Sequence, residues 1–215
     1  MLRLLYEKTG NARWISHLDM MHLLQRAFLR AGIAVKHSEG YHPHAYVSIA
    51  LPLSLGQESV CELLDFDIVD STLPAEVPEK LNAVFPAGLR VLRCYESSRK
   101  VRDLALLHAR VTLEYDHGAP DAAAIAALFA QPEIMVEKKT KSGPATVDIR
   151  PLIRELHVAP CADGLELDAV VCAQNPGLNP ELLAAAIRTH LPDLAPDFVR
   201  ILRLDVLDAA GKSFR

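Results

Sequence analysis

What this 215-residue chain lacks bounds it first. No run of about 18 uncharged apolar residues occurs, so neither a spanning helix nor a membrane partner is expected. The opening residues, MLRLLYEKTG, lack the charged start and apolar stretch of a signal peptide. The four cysteines, Cys61, Cys94, Cys161 and Cys172, form no CxxC pair. That spacing argues against a zinc ribbon or a local iron–sulfur motif and predicts buried free thiols in a reducing cytoplasm. A glycine-rich phosphate loop, a nucleophile elbow, HExxH and the cluster-binding CxxxCxxC are all missing. A self-contained enzyme with a familiar local signature is therefore not expected.

Half of the residues are hydrophobic, enough to bury the core of one large domain or two small ones. The net charge of −4 argues mildly against nucleic acid as a default partner. The charge is uneven, however. Residues 1–48 carry +3, from Arg3, Lys8, Arg13, Arg26, Arg30 and Lys36 against Glu7, Asp19 and Glu39, which leaves −7 for the remainder. A locally basic N-terminal third points to an anionic ligand.

Periodicity and turn residues predict strands at Leu2–Glu7, Tyr46–Leu51, Val60–Val69 and Leu89–Tyr95. Helices are predicted over 17–31, with Leu18, Met21, Leu24, Phe28 and Ala31 inward, and over Pro74–Val84. The order β-α-β-β-α-β across residues 1–97 is the ferredoxin-like pattern. After a charged linker at Glu96–Asp103 the pattern repeats over 104–215, with an additional hairpin around Lys141-Ser142-Gly143-Pro144. The expected fold is α+β: two tandem ferredoxin-like modules, the second with extra strands.

The stretch from Arg13 to Leu53 concentrates the candidate chemistry, with His17, His22, His37, His42 and His44 in or beside it. Ser16 is a good N-cap, and Asp19 completes a capping-box-like pattern, so both read as structural. His17 is not required by the cap. It stands in the first helical turn, where backbone N–H groups attract anions, and either it or His44 could serve as general acid or base. His42 and His44, at i and i+2, share one face of an extended segment. Two histidines do not make a metal site, and no metal is expected, although His17 is the residue that could join them as a third ligand. Tyr41 could stack on a base, but packing in the core is the simpler reading. Arg26 and Arg30 stand one turn apart on the polar helix face, where with Arg13 and Lys36 they could meet phosphates. Lys139 and Lys141, beside Lys138 at the predicted hairpin tip, fit either a nucleic-acid backbone or a solubilised edge.

These residues assemble into motifs that resemble a bacterial family, the radical-SAM-linked (radical-SAM-associated) proteins, a domain of unknown function found beside or fused to radical SAM proteins. Tyr6, Lys8 and Gly10 match its Tyr-x-Lys-x-Gly strand, and Ser16 to Asp19 its Ser-His-Leu-Asp helix start. Arg26-Ala27 and Arg30-Ala31-Gly32 match the helix end. Ser38, Gly40, Tyr41, Pro43 and His44 match the following loop, and Pro52, Leu53 and Gly56 its Pro-Leu-x-x-Gly. Lys139 to Gly143, Val147 to Pro151 and Asn179-Pro180 fit the later motifs, while Trp14 and Ala45 depart from the pattern. The resemblance implies an accessory module without a cofactor of its own, working with a partner that carries a [4Fe–4S] cluster and S-adenosylmethionine. The substrate such a module would present could be structured RNA, tRNA or rRNA. Tandem ferredoxin-like folds with a helix-1 histidine are also similar to CRISPR RNA-processing proteins. That leaves an autonomous RNA-binding or RNA-processing protein as the alternative.

Overall fold

A computed structural model describes residues 1–140 and 143–215, with the side chains of 139 and 140 excepted. The chain divides into two compact units, Met1–Asp103 (counted with Arg215) and Leu104–Phe214. The described residues are α+β, as expected, with antiparallel strand pairing within each unit.

The first unit runs β1 (Leu2–Lys8), a 3-10 turn (Gly10–Trp14), α1 (His17–Arg30), β2 (Val47–Ile49), β3 (Glu58–Phe66), a second 3-10 turn (Pro74–Glu76), α2 (Val77–Asn82) and β4 (Leu89–Glu96). Its strands lie in the order β4-β1-β3-β2. The strand expected at Tyr46–Leu51 shrinks to three residues, and on its N-terminal side Ala45 and Tyr46 pair with the Lys36–His37 segment rather than with β3. The helix expected at Pro74–Val84 splits in two, with Pro74 and Pro78 in the opening turns of the two pieces, where a missing N–H costs least.

The core of this unit joins one face of the sheet to one stripe of α1. Leu4 and Tyr6 of β1, Leu64 and Phe66 of β3, and Leu89 and Val91 of β4 meet Met20, Leu24, Ala27 and Phe28. Leu18 is not part of that stripe and is 69% exposed. At 3.6 residues per turn, Leu18 and Leu29 fall about 160–180° around the helix from Met20, so both face solvent. Residues 61–66 are buried on both strand faces. On the face away from α1, Arg3 forms a buried pair with Asp65, its cross-strand neighbour, at 2.6 and 2.8 Å.

Gly88 ties the start of β4 to the end of β1. Its φ is +88°, and a Cβ there would stand 2.3 Å from the Thr9 carbonyl oxygen. Its own carbonyl accepts from Thr9 N–H at 2.8 Å. Gly88→Ala is expected to cost roughly 2–3 kcal/mol through backbone strain and displacement of Thr9. Chemical denaturation would check this, and a loss below about 0.5 kcal/mol would contradict it.

The second unit runs β5 (Leu104–Glu114), α3 (Ala122–Phe129), β6 (Met135–Thr140), β7 (Gly143–Asp148), β8 (Ile153–Cys161), β9 (Gly164–Cys172), α4 (Glu181–His190) and β10 (Phe198–Asp208). Four strands order as β10-β5-β9-β8, while β6 and β7 form a separate hairpin. From Leu107 onward β5 alternates: Leu107, Ala109, Val111 and Leu113 are buried, and His108, Arg110 and Glu114 are less so. The outward side chains pair across the sheet, His108 with Asp168 at 2.8 Å and Arg110 with Glu166 at 2.9 Å.

Of the four cysteines, only Cys61 is fully buried; Cys94, Cys161 and Cys172 are half-buried, a correction to the expectation of buried thiols throughout. All are free. Burial nevertheless pushes the Cys94 thiol up to about 11, from an ordinary 9.0. The thiolate is the nucleophile, so Cys94 should alkylate about 100-fold more slowly at pH 8 than an ordinary thiol. Residue-resolved iodoacetamide labelling measures this, and a rate equal to that of a model thiol would refute it.

Candidate functional site

Three sets of side chains surround α1, and the structure separates them. The first lies at its N-terminus. Ser16 caps the helix: its Oγ accepts from Asp19 N–H at 3.2 Å and donates to Asp19 Oδ2 at 2.7 Å. His17 follows as the first helical residue and is exposed. Beneath it, Tyr6, Lys8 and Glu62 line a cavity of about 10 Å³ that Met20, Ile49 and Leu53 close. That volume is at the threshold for one water molecule. Lys8 is 3% and Glu62 2% exposed, and Lys8 Nζ donates to the Ile15 carbonyl at 2.8 Å. Burying two charges is costly unless they are well compensated, so this end of α1 is held on a demanding set of polar contacts. Sequence reasoning did not place Lys8 or Glu62 at a site. The signal was strand parity: Lys8 shares a face with Leu4 and Tyr6, and Glu62 with Leu64 and Phe66.

The second set is a loop. Tyr46 N–H donates to Lys36 O at 2.7 Å and Ser38 N–H to His44 O at 2.9 Å, closing a hairpin-like turn between them. Ser38 Oγ lies 3.0 Å from His44 Nδ1 and accepts from His44 N–H at 3.2 Å, so the serine holds both the backbone and the ring of His44. Tyr41 stands at the tip, 99% exposed, with His42 edge-on at 6.1 Å. The core reading of Tyr41 is thereby corrected: the closed ends of the loop project residues 39–43 outward, away from any apolar partner.

The third set is a groove of about 740 Å³ along the other flank of α1. Arg26 and Arg30 line it with His22, Leu23 and Leu29, opposite Val84, Phe85 and Pro86. Arg30 reaches the Val84 carbonyl at 3.4 Å. Gln25, on the opposite flank, donates to Ala45 O at 3.3 Å. Helical geometry thus sends the two arginines away from the histidine loop. Arg13 joins neither set: its guanidinium approaches Glu58 at 3.8 Å and lies 5.3 Å from the Trp14 ring. Among the described residues, no three His, Cys, Asp or Glu side chains are grouped to hold a metal, so His17, His42 and His44 do not converge on one. Lys139 sits in β6 opposite Pro144 in the second unit. Lys141 lies outside the described residues.

A family model described as an uncharacterized protein conserved in bacteria (DUF2344) matches residues 1–180. The chain belongs to that family. No curated protein matches it. The family span takes in all three sets around α1, and all of α4 and β10 lie beyond it.

Proposed function

We propose that this family member is the non-catalytic accessory module of a radical S-adenosylmethionine enzyme system. It would present substrate, with structured RNA such as tRNA or rRNA as the candidate class, to a cytoplasmic partner carrying the [4Fe–4S] cluster and S-adenosylmethionine. The observation that supports substrate presentation is the loop from Lys36 to Tyr46. It spends its internal hydrogen bonds on orienting His44 and leaves Tyr41 with no intramolecular apolar cover. A preorganised loop with an exposed aromatic ring beside the His42 imidazole suits an unstacked base. We also read both units as ferredoxin-like. The strand orders β4-β1-β3-β2 and β10-β5-β9-β8 support this, with the β6–β7 hairpin inserted after α3 in the second.

A tagged pull-down from the native bacterium tests the partner: recovery of a radical S-adenosylmethionine protein supports the reading, and its repeated absence removes it. For the RNA, Tyr41→Ala should weaken binding of the co-purified species by about 1–3 kcal/mol. Salt-independent or absent binding would remove the RNA part. A second reading, RNA processing by His17 as general acid or base, is favoured by the buried Lys8 and Glu62 beneath that histidine. Cleavage without any partner, lost in His17→Ala, would select it.

A further inference from the structure

The groove between α1 and the turn joining α2 to β4 is unlike a nucleic-acid track. Its walls are largely aliphatic and aromatic, from Leu23, Leu29, Val84 and Phe85, and Leu29 stands 81% exposed within it. An exposed aliphatic side chain beside other apolar side chains can give a partner an apolar contact. Its basic side chains are arranged as a ridge: His22, Arg26 and Arg30 follow at successive turns of α1. Both walls are firmly built. α1 is buried along its inner stripe, and the opposite turn is held where the Asn82 side chain donates to Val91 O at 2.9 Å and accepts from Val91 N–H at 2.7 Å.

We propose that this groove is the docking site for an acidic amphipathic helix of a protein partner. A nucleic-acid strand would satisfy the guanidinium groups but gain little from Leu23, Leu29 and Val84, which give its bases no ring to stack on. An extended peptide would find no strand edge there, since a helix and a turn form the walls, and its backbone groups would go unpaired. A helix satisfies its own backbone, lays an apolar stripe on Leu23, Leu29 and Phe85, and sets carboxylates one turn apart against Arg26 and Arg30. Asp19, at one end of the groove, favours a basic residue at the matching end of the ligand. The proposal rests on the accessory reading only in requiring a protein partner, and it holds whatever that partner's chemistry is.

The test uses the intact chain and a fluorescent stapled helix of about four turns, with a leucine stripe beside glutamates one turn apart. A twin peptide carries lysine for each glutamate, and decauridylate serves as the nucleic-acid competitor. The glutamate helix is expected to bind and to protect α1 and residues 84–86 from hydrogen exchange. Leu29→Glu, at an exposed position, should keep the thermal unfolding profile and weaken binding at least about tenfold. Arg26→Glu with Arg30→Glu should transfer binding from the glutamate peptide to its lysine twin. Equal binding of both twins, or no footprint on α1, overturns the proposal. Displacement of the peptide by decauridylate reassigns the groove to nucleic acid. Self-association that Leu29→Glu abolishes reassigns it to a second copy of this chain. None of these results depends on whether a radical S-adenosylmethionine protein is recovered in the pull-down.

Discussion

Asp65→Asn should destabilise the fold by about 3–5 kcal/mol, the loss typical of removing one member of a buried ion pair. Arg3 is fully buried and Asp65 is 5% exposed. The carboxylate takes two hydrogen bonds from the guanidinium, which also donates to Arg99 O at 3.0 Å. Asparagine preserves the shape of the side chain and removes the charge, so the guanidinium stays buried without its carboxylate. The pair need not be a net source of stability. Replacing both residues at once, Arg3→Met with Asp65→Leu, should recover most of the loss, because it removes both desolvation costs together. Urea titrations of wild type, single variant and double variant decide this. A single variant within about 1 kcal/mol of wild type would mean that water or a neighbouring group replaces the carboxylate.

Phe28→Ala should cost about 3–5 kcal/mol. Phe28 is 1% exposed, and its ring centroid lies 4.9 Å from that of Phe66, with the planes at 42°. Truncation removes the apolar contact and leaves a void between α1 and β3 that rigid neighbours cannot close. The neighbouring Leu29→Ala should stay within about 0.5 kcal/mol, since that side chain faces solvent. The two variants remove similar hydrophobic bulk from consecutive helix positions, so their difference reports burial alone. Equal losses would mean that the two positions have been assigned to the wrong faces of α1. The measurement is the urea midpoint at constant slope.

Much of the local structure was legible before any coordinates. Ser16 announces the start of α1 because a serine side chain can accept from a first-turn N–H, and it does so from Asp19. The alternation in β5 announces a strand with one buried face, and β6 and β7 pair as an expected hairpin, although Gly143 and Pro144, expected in its turn, stand in β7. Less legible was which leucine of α1 points inward. Leu18 and Met20 both fit a helical stripe when only spacing is counted, and the docking of the sheet chose Met20. Tyr41 was misread for a related reason: an aromatic near a strand suggests core, but the Ser38–His44 bonds turn that loop outward.

What the sequence by itself determined here is local: the caps, the strand parities, the helix periods, the scattered cysteines and the basic balance of residues 1–48. The caps, parities and periods depend on groups a few residues apart, and the cysteines and charge balance on composition alone. The tertiary structure decided what converges. Pairing β1 with β3 set Lys8 and Glu62 beneath His17, although 54 residues of chain separate the two charges. The rotation of α1 on the sheet sent Arg26 and Arg30 to one flank and left the histidine loop beside the other. Strand register and helix rotation are fixed by burial of the whole apolar set at once, so no short window of sequence contains them.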